Sequence, residues 1–146
     1  MSKLSFHHLE PLRFPLINRF YKTYYSAGKA KKDEIIWIGE NESGICCCVR
    51  FKQFDDFQLL TGMLVHPRLR GEKIGHQLLQ ASEQQLIHHP CYCFAFDYLE
   101  SFYNTAGFST IPDDTLPPAL KSRLERYRIG GKPLIPMHYQ YQPKDN

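Results

Sequence analysis

The chain has 146 residues, 42% hydrophobic and 14% aromatic, which excludes a disordered chain and suits one domain over residues 1–146 with a single core. No apolar run nears the roughly 20 residues that cross a bilayer, and the N-terminus lacks the apolar stretch of a secretion signal, so a cytoplasmic protein is expected. A net charge of +3 suits a phosphate-bearing ligand but is too small to imply nucleic acid by itself.

In chain order, weak alternation predicts a first strand over residues 3–8. Apolar residues at helical intervals then predict a helix over 11–27, with Pro15 in its first turn and Gly28 as its stop. The basic run 29–32 is expected to be a solvated loop. Strands follow at 34–40, 45–53 and 57–66, the first two joined by the turn Asn41-Glu42-Ser43-Gly44. A helix is expected from Ile74 to about Ile87, stopped at His88-His89-Pro90.

Cys91 to Phe96 reads as a strand that returns after a helix, so it should lie parallel to the strand before that helix. A short helix over 99–106 closes at Gly107, and a strand starts at Phe108 and reaches Ile111. The segment 111–118 is a Pro/Asp-rich loop, 119–129 a polar helix and 134–141 a last strand. The order is β-α-β-β-β-α-β-α-β-α-β, which predicts a mixed sheet, antiparallel at first and parallel in the middle.

The five cysteines do not form a metal site. Cys46, Cys47 and Cys48 alternate across a strand, and Cys91-x-Cys93 has no companion pair at zinc spacing, so reduced, buried, structural thiols are expected.

The stretch from Leu59 to Leu79 is the most informative. An apolar strand stops at Pro67, a basic glycine-containing turn runs from Arg68 to Gly75, and apolar spacing turns helical from Ile74. Such a strand–turn–helix aims free N–H groups and the positive end of a helix dipole at one spot, which suits an anion such as phosphate.

The same residues carry a resemblance. Val65-His66-Pro67-x-x-Arg70-Gly71-x-x-Ile74-Gly75-x-x-Leu78-Leu79 resembles the acyl-CoA-binding signature of the GCN5-related N-acetyltransferases (GNAT superfamily), and Phe102-Tyr103-Asn104-Thr105-Ala106-Gly107-Phe108 resembles that family's second signature. The resemblance implies an α/β (α+β) fold. Its mixed, mostly antiparallel central sheet would have about seven strands, helices on both faces, and a splay at the two central parallel strands. It also implies acetyl-CoA as cosubstrate, with no metal. The amides of Arg70, Gly71, Glu72, Lys73, Ile74 and Gly75 would hold the pyrophosphate, with His76 close by. Met63, Leu64 and Val65 would pair with the pantetheine arm, and Asn104 would reach CoA.

Lys73 stands where the family's turn has its middle glycine, and its amides still point inward if it is helical. Gly62, in mid-strand, suits a bulge that opens the acyl slot. Phe96 stands where many members have an asparagine.

Amine attack on a thioester needs a neutral amine, a donor for the oxyanion and a proton for the leaving thiolate. The backbone N–H near Leu64 is the candidate donor. Tyr103 occupies the family's general-acid position, with plain packing as the competing account. Thr61 stands where many relatives carry a glutamate base. A water relay, His138, Tyr24 and Tyr25 all remain open for that role. His138 is the best single side chain because an unperturbed histidine titrates near 6.5, against an ordinary strand histidine.

The expected function is acetyl transfer from acetyl-CoA to a primary amine of a small-molecule or peptide acceptor by direct attack. The alternative is a non-catalytic acyl-CoA sensor on the same fold. Neither nucleic acid nor membrane is an expected partner, and a homodimer is left open. The first helix, the loop before Phe57 and the segment 111–136 would wall the acceptor side, with 112–133 either a lid or a seal on the sheet.

Overall fold

The computed structural model describes residues 3–25, 30–71 and 73–140. Its strands are β1 (Ser5–His8), β2 (Ile35–Asn41), β3 (Gly44–Gln53), β4 (Gln58–Val65), β5 (Cys91–Phe96), β6 (Phe108–Thr110) and β7 (Leu134–Tyr139). They form one sheet in the order β1-β2-β3-β4-β5-β7-β6. Every neighbouring pair is antiparallel except β4 and β5. That parallel pair joins only Gln58 to Cys91, Leu59 to Tyr92 and Leu60 to Cys93. Beyond Leu60 the two strands diverge, and this is the splay expected at the centre of the sheet.

Among the described residues five α-helices cover the sheet: α1 (Phe14–Tyr24), α2 (Ile74–Ala81), α3 (Glu83–His88), α4 (Glu100–Thr105) and α5 (Pro118–Ile129). The side chains of consecutive strand residues point to opposite faces, so one strand feeds two cores. Cys47, Val49 and Phe51 of β3 pack with Ile74, Leu78, Leu79 and Leu86 from α2 and α3 and with Tyr103 of α4. Cys48 faces the other way, joining Ile17, Phe20 and Tyr21 of α1 with Ile36, Ile38 and Leu64. A third cluster sets Leu120 and Leu124 of α5, with Leu116, on Leu59 and Leu134. Helices α1 and α5 therefore share one face and α2 to α4 the other. Each fully buried leucine contributes about 1.5–3 kcal/mol.

All five cysteines are free and buried. Burial pushes the Cys47 and Cys48 thiols up to about 12, which fits inert core packing.

Several elements differ from the sequence expectation. The first helix opens as a 3₁₀ turn (Pro11–Arg13), because Pro15 has no N–H to bond the Pro11 carbonyl and the Phe14 N–H takes it instead. It ends at Tyr24, with Tyr25 extended at φ −139. The expected end at Ala27, the stop at Gly28, Lys29 of the basic run and the strand end at Tyr141 lie outside the described residues.

The helix expected over 74–87 is two helices. The buried Ser82 hydroxyl donates to the Leu78 carbonyl at 2.7 Å alongside the Ser82 N–H at 3.0 Å, a back-bond that bends helices, and α2 gives way to α3 there. Strand β7 inserts between β5 and β6, so β5 and β6, consecutive in the chain, are not neighbours in the sheet. Among the described residues no helix is long and apolar enough to cross a membrane.

Candidate acyl-transfer site

Strand β4 is irregular where it faces the splay. Its register against β3 runs Cys48 to Leu64 and Arg50 to Thr61, so Gly62 and Met63 together oppose the single residue Val49. Gly62 takes φ +64, the left-handed conformation that a bulge of this kind needs. The expected bulge is thus present, on the β3 side of β4, and it begins two residues beyond the last rung to β5.

After Val65 the chain makes a 3₁₀ turn (Pro67–Leu69) that His66 organises. The His66 carbonyl accepts from Leu69 N–H at 2.8 Å, and its Nδ1 accepts from Arg68 N–H at 3.1 Å. The Tyr24 hydroxyl meets His66 Nε2 at 3.0 Å, which ties α1 to the strand end. Arg70 Nε donates to the Val65 carbonyl at 3.3 Å, so the Arg70 side chain folds back along the strand.

Gly71 at φ +87 and Lys73 at φ +62 then turn the chain into α2. Lys73 is the only non-glycine with positive φ among the described residues. The helical backbone set as a condition for Lys73 is not the one observed: Lys73 is left-handed, the conformation a glycine would take without strain. The first bond of α2 runs from Gln77 N–H to the Lys73 carbonyl at 3.1 Å. The N–H groups of Ile74, Gly75 and His76 precede it and have no partner within the helix. Glu72 lies outside the described residues.

Gly75 lets α4 approach, since a Cβ there would stand 2.9 Å from Phe102. His76 packs on the same ring, with centroids 4.4 Å apart. Beyond this contact α2, the end of α4 and β6 enclose a cleft of about 750 Å³ whose lining includes Lys73, His76 and Asn104. Asn104 Nδ2 also donates to the Phe108 carbonyl at 3.2 Å, closing the turn around Gly107. Three of the residues expected to meet CoA are thereby brought to one cleft.

Tyr103 is buried beneath the splay, edge-on to Phe102 and Phe108. Burial pushes its hydroxyl well above the ordinary tyrosine value, with smaller contributions from Cys93, Tyr25 and Cys91. Tyr25 belongs to the α1 face and Tyr103 to the α4 face. Tyr25 is also raised, by burial first, which suits a proton donor better than a base.

His138 is not brought to the site. It pairs with Tyr92, which pairs with Leu59, at the closed end of the parallel pair. Its ring stacks on Tyr92 with centroids 4.6 Å apart, and its Nδ1 meets Gln140 Nε2 at 3.0 Å. Burial pulls it below the usual histidine value. The register thus sets His138 at the closed end of the pair, while the splay opens beyond Cys93.

Sequence reasoning missed two residues on the α1 face, Arg50 and Glu34. Arg50 of β3 is opposite Thr61, and its guanidinium lies over the Tyr21 ring, 4.9 Å from the centroid. Glu34 Oε1 is 3.5 Å from Arg50 Nη1, with both side chains buried. One signal was available. Arg50 is a single charge inside the run Cys46-Cys47-Cys48-Val49-Arg50-Phe51, and a charge buried in a strand needs a partner.

The profile described as "Acetyltransferase (GNAT) domain" matches residues 32–110, over half of the chain. Among solved structures, N-acetylglutamate synthase from Neisseria gonorrhoeae, complexed with coenzyme A and N-acetyl-glutamate, is similar at 15% identity and TM-score 0.69. That match covers 98% of this chain but 36% of the synthase, so the chain spans about a third of its length. Escherichia coli ElaA is similar at 18% identity and TM-score 0.64, over 96% of this chain and 100% of that one. The ribosomal-protein-S18-alanine N-acetyltransferase from Escherichia coli is similar at 11% identity and TM-score 0.66, over 99% and 97%. At these identities the likeness is one of fold. No curated protein matches the sequence.

Proposed function

The chain belongs to the GNAT acetyltransferases, and on that premise we propose that it moves an acetyl group from acetyl-CoA to a primary amine of a small-molecule or peptide acceptor by direct attack. The observation that carries the reading is the diverging end of β4 and β5 with the bulge at Gly62 beside it and the α2 N-terminus at its mouth. The N-acetylglutamate synthase structure holds coenzyme A and N-acetyl-glutamate, which supports acyl-CoA and an amine-derived product on this fold.

Residues Met63 to Val65 would run beside the pantetheine arm. The turn from Arg70 to Gly75 would take the pyrophosphate on its amides, where the helix dipole favours negative charge. The side chains of Lys73, His76 and Asn104 would line the path of the nucleotide. The chemistry supplied by the bound thioester is an electrophilic carbonyl carbon with a thiolate leaving group.

The neutral amine nitrogen bonds to that carbon, negative charge collects on the carbonyl oxygen, and the C–S bond then breaks. The sulfur gains a proton and the new amide nitrogen loses one. A β4 backbone N–H near Leu64 faces the developing oxyanion. Tyr103 is held as a neutral phenol by burial, so it serves the sulfur as a hydrogen-bond donor. An ordinary thiol titrates near about 8.5, so full proton transfer from a phenol raised above its usual value runs uphill. The base is a water chain or Tyr24 at the α1 side.

One observation favours a second reading, an acyl-CoA-binding sensor: the β4 position four residues before Val65 is Thr61, which has no carboxylate. A CoA-release screen over amines, amino acids, polyamines, aminoglycosides and peptides tests the two. Turnover of any of these acceptors supports transfer. Tight CoA binding with no turnover across the whole panel supports the sensor.

A further inference from the structure

The β4 bulge is gripped from the α1 side by residues that belong to neither signature. The Tyr21 hydroxyl donates to the Gly62 carbonyl at 2.5 Å. Arg50 covers the Tyr21 ring at 4.9 Å, and Glu34 holds Arg50 from beyond at 3.5 Å. All three side chains are buried. Gly62 makes the grip fit, since a Cβ there would stand 2.8 Å from the Tyr21 oxygen and would also run into the Arg50 side chain.

The carbonyl that Tyr21 takes is that of the left-handed residue of β4. A trans peptide is planar, so its N–H points opposite to its C=O. Fixing the Gly62 carbonyl toward α1 fixes the Met63 N–H to point away from α1. Met63 stands past Leu60 and Cys93, the last rung between β4 and β5, and packs against the core on the α2–α4 face.

Resting on the acetyl-transfer reading above, we propose that Tyr21 is a positioning residue for acyl transfer. Its hydroxyl locks the Gly62–Met63 peptide so that the Met63 N–H is presented to the thioester carbonyl. Arg50 and Glu34 keep the Tyr21 ring in place for that purpose. A hydroxyl that only satisfied a buried carbonyl would leave a bound ligand's electronic state untouched, and this difference is measurable.

The probe is acetyl-CoA labelled with ¹³C at the acetyl carbonyl, added to the full chain and read by NMR. The wild-type protein is expected to shift the bound carbonyl resonance relative to free acetyl-CoA, as an aimed N–H polarises it. Tyr21→Phe keeps the ring and its stacking with Arg50. It is expected to bind acetyl-CoA within about threefold of wild type by calorimetry, yet to lose about half or more of the shift. Arg50→Lys is expected to fall between the two.

A folded Tyr21→Phe with the full wild-type shift overturns the proposal. If circular dichroism shows that variant unfolded, a folded Arg50→Lys with the full shift overturns it instead. Wild-type protein that binds acetyl-CoA with no carbonyl shift refutes the positioning role alone. Wild-type protein that binds no acetyl-CoA refutes the acetyl-transfer reading, and the proposal with it.

Discussion

Gln58 and Gln85 bond to each other twice. Gln58 Nε2 donates to the Gln85 main-chain carbonyl at 2.6 Å, and Gln85 Nε2 donates to Gln58 Oε1 at 2.8 Å. Gln58 also donates to the His89 carbonyl at 3.2 Å and accepts from Gln53 Nε2 at 3.0 Å. This fully buried glutamine opens β4 and pairs with Cys91, so it fastens the end of α3 to the closed end of the parallel pair. The splay depends on that end staying shut.

Gln58→Leu keeps most of the volume but leaves the Gln85 amide and two carbonyls without partners. Each orphaned buried group costs about 1–3 kcal/mol, and partial relaxation limits the sum. The expected loss is roughly 3 kcal/mol in urea unfolding. A loss below about 1 kcal/mol would show that the network is not holding the strand pair.

Lys73 carries backbone strain at φ +62, and a glycine there would carry none. Lys73→Gly is expected to stabilise the protein by about 1 kcal/mol, less the entropy that a glycine adds to the unfolded chain. Lys73→Ala keeps the strain and removes only the ammonium. Comparing the coenzyme A affinity of the two variants separates the turn's backbone shape from the lysine charge. Equal affinities, both near wild type, would assign the anion site to the amides alone.

The strand–turn–helix from Leu59 to Leu79 was legible in the sequence because its signals are local. Pro67 ends a strand, glycines turn the chain and leucines repeat at helical spacing within one short stretch. The features that were not legible join distant residues. Tyr21 reaches Gly62 across 41 positions, and nothing in a helix that reads as amphipathic marks one tyrosine as facing a bulge. His138 was one of several open candidates for the base, and only strand register sets it beside Tyr92, at the closed end of the pair. The bend at Ser82 goes with one buried hydroxyl back-bonded to the Leu78 carbonyl, which propensity alone does not decide.

Glu40 ties β2 to the start of α1. Arg13 Nη1 and Nη2 donate to its two oxygens at 2.7 and 2.6 Å, and His7 Nε2 is 2.6 Å from Oε2. The Arg13 hydrogen bonds hold the Glu40 carboxyl below its usual range, with a further contribution from His7. A depressed carboxylate contributes stability in full above its unfolded value and loses it as pH falls through the folded value. Glu40→Gln should therefore be less stable than wild type near neutral pH, by about 0.5–1 kcal/mol given its partial exposure. The gap should close as both proteins are titrated below about pH 4. A gap that persists at low pH would mean that the glutamine disturbs packing and not charge.

Tyr103 separates transfer from mere binding. Tyr103→Phe removes one hydroxyl from a ring held edge-on by Phe102 and Phe108, so the core should survive and coenzyme A affinity should stay within about threefold. If the hydroxyl stabilises the leaving sulfur, kcat on an accepted amine falls by about 10²–10³. The pH profile gives a second readout. Burial holds the Tyr103 proton well past the ordinary tyrosine value, so rate should climb as the acceptor amine loses its proton and show no descending limb up to about pH 9.5. A descending limb below that, absent from Tyr103→Phe, would mean that the bound complex titrates Tyr103 within the working range. Unchanged kcat in the variant would leave Tyr103 as a packing residue, with the sulfur taking its proton from water.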